Sequence, residues 1–169
     1  MLTLFGQSVA ERAKSAAIAV LSILLGVSLL QVSSDRAQTE QDMRNKEAAR
    51  DVARHFAVAL TTYDYAHENA QAMLVKAVSS GEVSERVRAA WLDVETAKAV
   101  SIGEVTSDTV VVASRAEIGI LLWMSQVVSS SFAASGATLV GLLKVTVHQV
   151  EGRWIVSDFR WLLIPGLGP

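Results

Sequence analysis

The residues best suited to chemistry cluster at Tyr63-Asp64-Tyr65, where two aromatic rings bracket one carboxylate; a second carboxylate, Asp158, lies far along the chain. A carboxylate held in an apolar pocket has a raised pKa and can abstract a proton, so an enzyme built here would use Asp64 or Asp158 as general base. Each residue also has a plain structural use. Asp64 can cap the helix that follows, Tyr63 can extend an apolar helix face, and Asp158 suits the solvent side of a strand. The structural use is preferred, because no catalytic constellation accompanies either carboxylate. His67 and Glu68 add nitrogen and oxygen ligands beside Asp64. With His55 and His148 the remaining histidines, and no H-x-x-x-H or H-E-x-x-H spacing, neither a metal nor another cofactor is expected. Four tryptophans, Trp91, Trp123, Trp154 and Trp161, invite a ligand-stacking reading, although aromatic residues more often fill cores. Trp161, with Leu162, Leu163 and Ile164 beside it near the C-terminus, stands between packing under a sheet and contact with a partner or lipid. Tyr63, Asp64, Tyr65 and Trp161 therefore form the candidate pocket or partner-contact set.

The elements that must position these residues are helices first and strands afterwards. Val52, Phe56, Ala59 and Tyr63 recur at helical spacing with Asp51, Arg54 and His55 between them, so an amphipathic helix is expected to enter a core there. A second helix is expected over His67 to Val78, with Ala70, Leu74 and Ala77 on its inner face and Gly81 as its stop. A third is expected from Ser84 as N-cap through Val87, Ala90, Trp91 and Val94 to Ala97. From Val100 the pattern turns β-rich: Ile102 to Thr106, Thr109 to Ala113 and Ala116 to Val128 read as strands. Ser129 to Gly136 is a small-residue connection, and in Thr138 to Val150 the residues Leu143, Val145 and Val147 alternate with polar ones. Glu151-Gly152 supplies a tight turn, and Arg153 to Leu163 returns antiparallel, so Gly152, Trp154 and Asp158 mark a structural hairpin. The fold class expected is α+β, with helices packed on one face of a curved antiparallel sheet.

Composition limits what this domain serves. The 169 residues are 51% hydrophobic with a formal net charge of −2, which leaves no basic field for nucleic acid. Cysteine is absent, so disulfides and thiolate metal sites are excluded. Ser15 to Ser34 is a run of 20 residues without charge or proline, and about 20 residues cross a bilayer as a helix. A transmembrane helix over 15–34 is the preferred reading over a cleavable signal peptide, whose apolar run is shorter. The implied order is a cytoplasmic tail over 1–14, the span, a polar stalk over 35–50, an α+β domain over 51–164 and a flexible tail over 165–169. Arg12 and Lys14 favour a cytoplasmic N-terminus and an extracytoplasmic domain, single-pass in the cytoplasmic (inner) membrane. Within the span Ser15, Ala19, Ser22 and Gly26 line one helix face with small side chains, as a helix-packing surface in lipid would.

The order of anchor, polar stalk, helix ending in Thr61-Thr62-Tyr63-Asp64-Tyr65, the stretch Lys98-Ala99-Val100-Ser101 and the hairpin Val150-Glu151-Gly152-Arg153-Trp154-Ile155-Val156-Ser157-Asp158 resembles the actinobacterial Mce-associated membrane proteins. The resemblance spans about Ala49 to Asp158. It implies a nuclear-transport-factor-like (cystatin-like) cone outside the membrane, acting as a non-catalytic accessory subunit that stabilises an Mce-type lipid-uptake transporter. The partners implied are integral-membrane Mce permease or Mce proteins, together with the lipid bilayer.

Two further readings stand beside that one: an inner-membrane assembly protein of a type IV secretion or conjugation channel, which has the same layout of anchor and cone, and a cone that binds a lipid or other apolar ligand. The small-residue face of the span yields the first test. Gly26→Leu is expected to reduce co-purification of the membrane partner several-fold, and unchanged recovery would remove that face as an interface.

Overall fold

The computed structural model describes residues 36, 38–114 and 116–163, with the side chains of 133–135 left aside. The expected span over 15–34, its Ser15, Ala19, Ser22 and Gly26 face, and the 165–169 tail lie outside the described residues, among which no helix is long and apolar enough to cross a membrane. The chain divides into two units, Met1–Met43 and Arg44–Pro169. Of the first, residues 36 and 38–43 are described, and they are helical.

The second unit opens with helix α1, residues 44–61, whose buried stripe is Ala49, Ala53, Phe56 and Ala57, all inaccessible to water. Three alanines in that stripe let the helix axis come close to the sheet. Of the expected stripe, Phe56 and Ala59 are buried and Val52 is half-buried against the core, while Tyr63 lies beyond the helix in strand β1 (Tyr63–Asp64). The helix ends where its last turn finds other partners. Thr61 Oγ1 donates back to the Ala57 carbonyl at 2.7 Å, and Thr62 Oγ1 accepts from the Gly103 N–H at 3.1 Å. A side chain at Gly103 would put its Cβ 1.9 Å from Thr61 Oγ1, so only glycine permits this approach of helix end to sheet.

Helices α2 (Glu68–Val78), α3 (Gly81–Ala89) and α4 (Trp91–Ala97) follow. In α2 the buried residues are Gln71 and Val75, while Ala70, Leu74 and Ala77 face out, the reverse of the expected face. The reason is a hydrogen bond: Gln71 Nε2 donates to the Ala59 carbonyl at 3.0 Å, so a polar side chain holds the inward position. Gly81 opens α3 instead of stopping α2, and Ser80, not Ser84, is the N-cap, its hydroxyl accepting from the Val83 N–H. The expected single third helix is two, broken at Ala90. Lys98, in the left-handed conformation at φ 47°, ends α4.

Strands β2 (Val100–Ala113), β3 (Glu117–Ser130), β4 (Ala133–Val150) and β5 (Arg153–Leu163) complete a five-stranded antiparallel sheet in the order β1-β2-β3-β4-β5. The two short strands expected before Ala113 are one long strand bent by two bulges, between Val105 and Ser107 and between Val110 and Val112. Bulges raise local twist and curl the sheet. Its concave face carries Ile118, Ile120, Leu122 and Met124 from β3 and Leu143, Val145 and Val147 from β4, all buried against α1. The β4–β5 hairpin turns on Glu151 and Gly152, both at positive φ as the turn requires, and Trp154 just after it is buried.

The first β2 bulge has an electrostatic consequence. Val105 pairs with Met124 on the concave side; one residue is then inserted, and Asp108 rather than Ser107 pairs with the inward Leu122. The carboxylate therefore faces α1, 5% exposed, where Arg54 Nε donates to its Oδ1 at 3.0 Å and Arg50 Nε lies 2.8 Å from its Oδ2. Arg50 and Arg54, one helical turn apart, bind α1 to β2 at the end opposite Gly103. Both arginines keep a third or more of their side chains in water, so the pair is asymmetric. Arg50→Ala with Arg54→Ala leaves the buried carboxylate unpaired and is expected to cost about 3–5 kcal/mol. Asp108→Asn, which leaves two solvated arginines, should cost about 1–3 kcal/mol. Urea unfolding of the three chains checks the order; equal losses would contradict it.

Candidate functional site

A cavity of about 300 Å³ opens where the end of α1, β1 and α2 meet α3, α4 and β5. Each wall comes from a different stretch of chain. Leu60 and Tyr63 arrive from the α1–β1 junction, Val87, Trp91 and Val94 from α3 and α4, and Phe159 and Trp161 from β5. The floor includes Gln71, already committed to Ala59. Tyr63 meets Trp91 edge to face, ring centroids 6.4 Å apart, and Phe159 meets Phe56 of α1 at 5.3 Å. These pairs join the cavity wall to the core.

Arg86 closes the rim. Its Nη1 donates to Asp158 Oδ1 at 2.7 Å, its Nη2 to the Phe159 carbonyl at 2.8 Å, and the guanidinium sits 4.5 Å over the Phe159 ring. One arginine thereby holds α3 to the β5 edge by an ion pair, a backbone bond and a cation–π contact. Its strong interactions are satisfied within the protein.

The sequence-derived residues distribute unevenly around this cavity. Tyr63 and Trp161, nearly a hundred positions apart, meet in its wall; Asp64 and Tyr65 do not line it. Asp64 Oδ1 accepts from the Ala66 N–H at 3.0 Å, and its Oδ2 lies 3.0 Å from His67 Nδ1, so it closes an exposed Asx turn and the α2 N-cap is His67. Tyr65 is exposed, with its backbone N–H donated to the Ala99 carbonyl. Asp158 lies outside the cavity on β5, and Gly152 and Trp154 stay with the hairpin at the far end of the strand. Sequence reasoning set Val87 and Val94 on one helix with Trp91 without assigning them to a cavity, and it missed Arg86, Phe159 and the Arg50–Arg54–Asp108 cluster. There the signal was two arginines four apart beside a buried alanine stripe.

Two carboxylates near the cavity are held toward their charged forms. The Ala66 N–H and then His67 hold the Asp64 carboxyl below the usual carboxylate range, and Arg86 does the same for Asp158. A base poised for proton abstraction needs the opposite shift. Burial raises the Tyr63 phenol above its ordinary value, so it stays neutral and protonated at neutral pH. Among the described residues no three His, Asp or Glu side chains converge as a metal-binding group. A broader depression between α2 and α3 is edged by Glu68, Lys76, Glu85 and Arg88, with Ala72 and Met73 between them.

No protein-family model matches the chain, and no curated protein does. Solved structures do. CagV, a VirB8 homologue of the type IV secretion system from Helicobacter pylori strain 26695, superposes with a TM-score of 0.56 at 5% identity, over 70% of this chain and 98% of CagV. An IcmL-like type IV secretion system protein from Legionella pneumophila superposes at 0.55 with 12% identity, over 70% of this chain and 91% of that one. A hexachlorocyclohexane dehydrochlorinase, LinA Type2, superposes at 0.54 with 10% identity, over 75% and 92%. Likeness at such identities shows the fold: the α+β cone of helices on a curled antiparallel sheet. It leaves the Mce-associated resemblance without support, and since the same cone serves an enzyme and secretion-system proteins, the site decides between functions.

The Arg86–Asp158 pair is open to direct measurement. Because the folded pKa of Asp158 is lowered, its contribution to stability is present above the ordinary Asp pKa and is lost as pH falls through the folded value. The carboxylate is 58% exposed, so the contribution is small, in the range of about 0–1 kcal/mol for surface pairs. Arg86→Ala is expected to move the Asp158 titration midpoint upward, read from its side-chain carboxyl ¹³C shift; an unmoved midpoint would show that the pair does not form in solution.

Proposed function

We propose that this chain is a non-catalytic, membrane-anchored assembly subunit of a multiprotein channel of the type IV secretion or conjugation kind, its cone standing outside the cytoplasmic membrane. The observation that carries this reading is a cone of the type found in secretion-system proteins whose cavity contains no acid or base poised for chemistry. Tyr63 and Arg86 are the titratable groups among its lining residues, and Arg86 is spent on Asp158 and Phe159. The enzyme with the same cone shows that such a fold can house chemistry; here the walls are aromatic and aliphatic instead.

The surroundings of that fold agree. The periplasmic domain of DotI and a periplasmic fragment of TraM superpose with TM-scores of 0.52 and 0.55, which supports an extracytoplasmic cone behind the apolar run of residues 15–34. Partners are then other integral-membrane subunits, met through the span, the cone or both. This reading takes the place of an Mce transporter, for which the fold offers no separate argument.

Affinity purification of the full chain from its native membrane, followed by mass spectrometry, tests the assignment. Enrichment of secretion-channel components at least tenfold over an unrelated single-span bait is expected. Enrichment of Mce permease subunits would return the function to lipid uptake.

A further inference from the structure

The outer face of the sheet, turned away from α1, carries an exposed apolar patch. On β3 the buried Ile120, Leu122 and Met124 point inward, so Leu121, Trp123, Ser125 and Val127 point outward, with Trp123 43% exposed. Their outward neighbours are Ile102 on β2, opposite Val127, and Leu142 and Val140 on β4, opposite Trp123 and Ser125. Ile102, Val127 and Val140 are exposed as well. Contiguous apolar surface of this kind marks a place where another surface binds. Charge is ordered around it. Glu104 of β2 lies opposite Ser125, and Lys144 of β4 lies opposite Leu121. The two are therefore diagonal neighbours of Trp123 on opposite sides of it, each about 7–8 Å away by strand geometry. Arg160 of β5 faces Lys144 directly, like charge against like. Glu104 and Lys144 have no ion-pair partner among the described residues, and Asp158, the carboxylate two positions from Arg160, is bonded to Arg86.

We infer that this face binds a second copy of the same chain, in a two-fold contact centred on Trp123. This contact is separate from the assembly function proposed above and does not rest on it. A two-fold interface brings one patch against itself, so the patch must be self-complementary. This one is. An axis lying in the interface, passing at Trp123 and perpendicular to the diagonal from Glu104 to Lys144, sets Glu104 of each copy over Lys144 of the other, with Arg160 beside it. Trp123 then meets its own equivalent, which gives an aromatic centre with charges at its margin, as specific interfaces have. Val140 lies on the other diagonal through Trp123, close to that axis, and meets its own equivalent too. Other occupants fit less of the face. An anionic bilayer surface or an acidic protein suits Lys144 and Arg160 but repels Glu104. A second copy satisfies all three charges and covers the apolar patch at the same time.

The chain has no cysteine, so one introduced thiol reports on the contact. In membranes from cells making the full chain, Val140→Cys is expected to give a disulfide-linked dimer under mild oxidation. In that background Glu104→Lys, or Lys144→Glu together with Arg160→Glu, sets like charge against like and is expected to lower the dimer yield about fivefold or more. Co-expression of the two reversed chains places opposite charges at both contacts again and is expected to restore the yield. That recovery also shows that each reversed chain folds, and a contact made through another surface, the span included, would not follow this pattern. Absence of the cross-link, as when lipid, another protein or another segment of the chain covers the face, would overturn the inference. So would a yield that charge reversal leaves unchanged, or one that co-expression fails to restore.

Discussion

The close seating of α1 in the concave sheet is the constraint from which the rest of this domain follows. Ala49, Ala53 and Ala57 present almost no bulk to β3 and β4, and Phe56 is the one large side chain driven into the core from that stripe. At the helix end the approach is closer still, with Gly103 giving way to Thr61 where any other residue would clash. A helix held at two such points cannot slide. Its register over β2 is therefore fixed, and so are the positions of Arg50 and Arg54 over Asp108 and the direction in which the chain leaves toward Tyr63. Burial supplies the free energy, while the bulge that turns Asp108 inward supplies specificity, because a carboxylate at that depth accepts only the register that meets both arginines.

That arrangement also determines where space is left. With α1 packed into the concavity against β3 and β4, the cavity described above lies at the margin where α3 and α4 approach β5. Val87, Trp91 and Val94, spaced to share one helix face, line the cavity together across the break at Ala90. The aromatic contacts Tyr63–Trp91 and Phe56–Phe159 then tie that wall to the core.

What was legible in the sequence is what depends on near neighbours. The alternation of Leu143, Val145 and Val147 and the Glu151-Gly152 turn are local patterns, and the β4–β5 hairpin formed as they require. The helix-then-sheet order was legible for the same reason. The inner face of α2 was not, because Gln71 earns its inward position from the Ala59 carbonyl twelve residues away, and no hydropathy pattern encodes that bond. Asp108 was hidden by a bulge, which shifts the parity of a strand without altering its composition. Tyr63 and Trp161 were singled out separately, as a helix-end aromatic and a C-terminal one; that they share a cavity is a property of the sheet order.

The fold also bears on whether another chain's strand could extend the sheet. An open sheet edge is a ready template for another chain's strand. Here the β5 edge is occupied: the Val156 carbonyl accepts from the Ser80 N–H at 2.8 Å, and the Phe159 carbonyl from Arg86. The other edge, β2 beyond its short pairing with β1, is bent twice by bulges, and a bent edge cannot hold a continuous ladder with an incoming strand. Strand addition is therefore disfavoured at both edges. On the proposed function, association would rely on side-chain surfaces of the helices and outer sheet face rather than on backbone pairing.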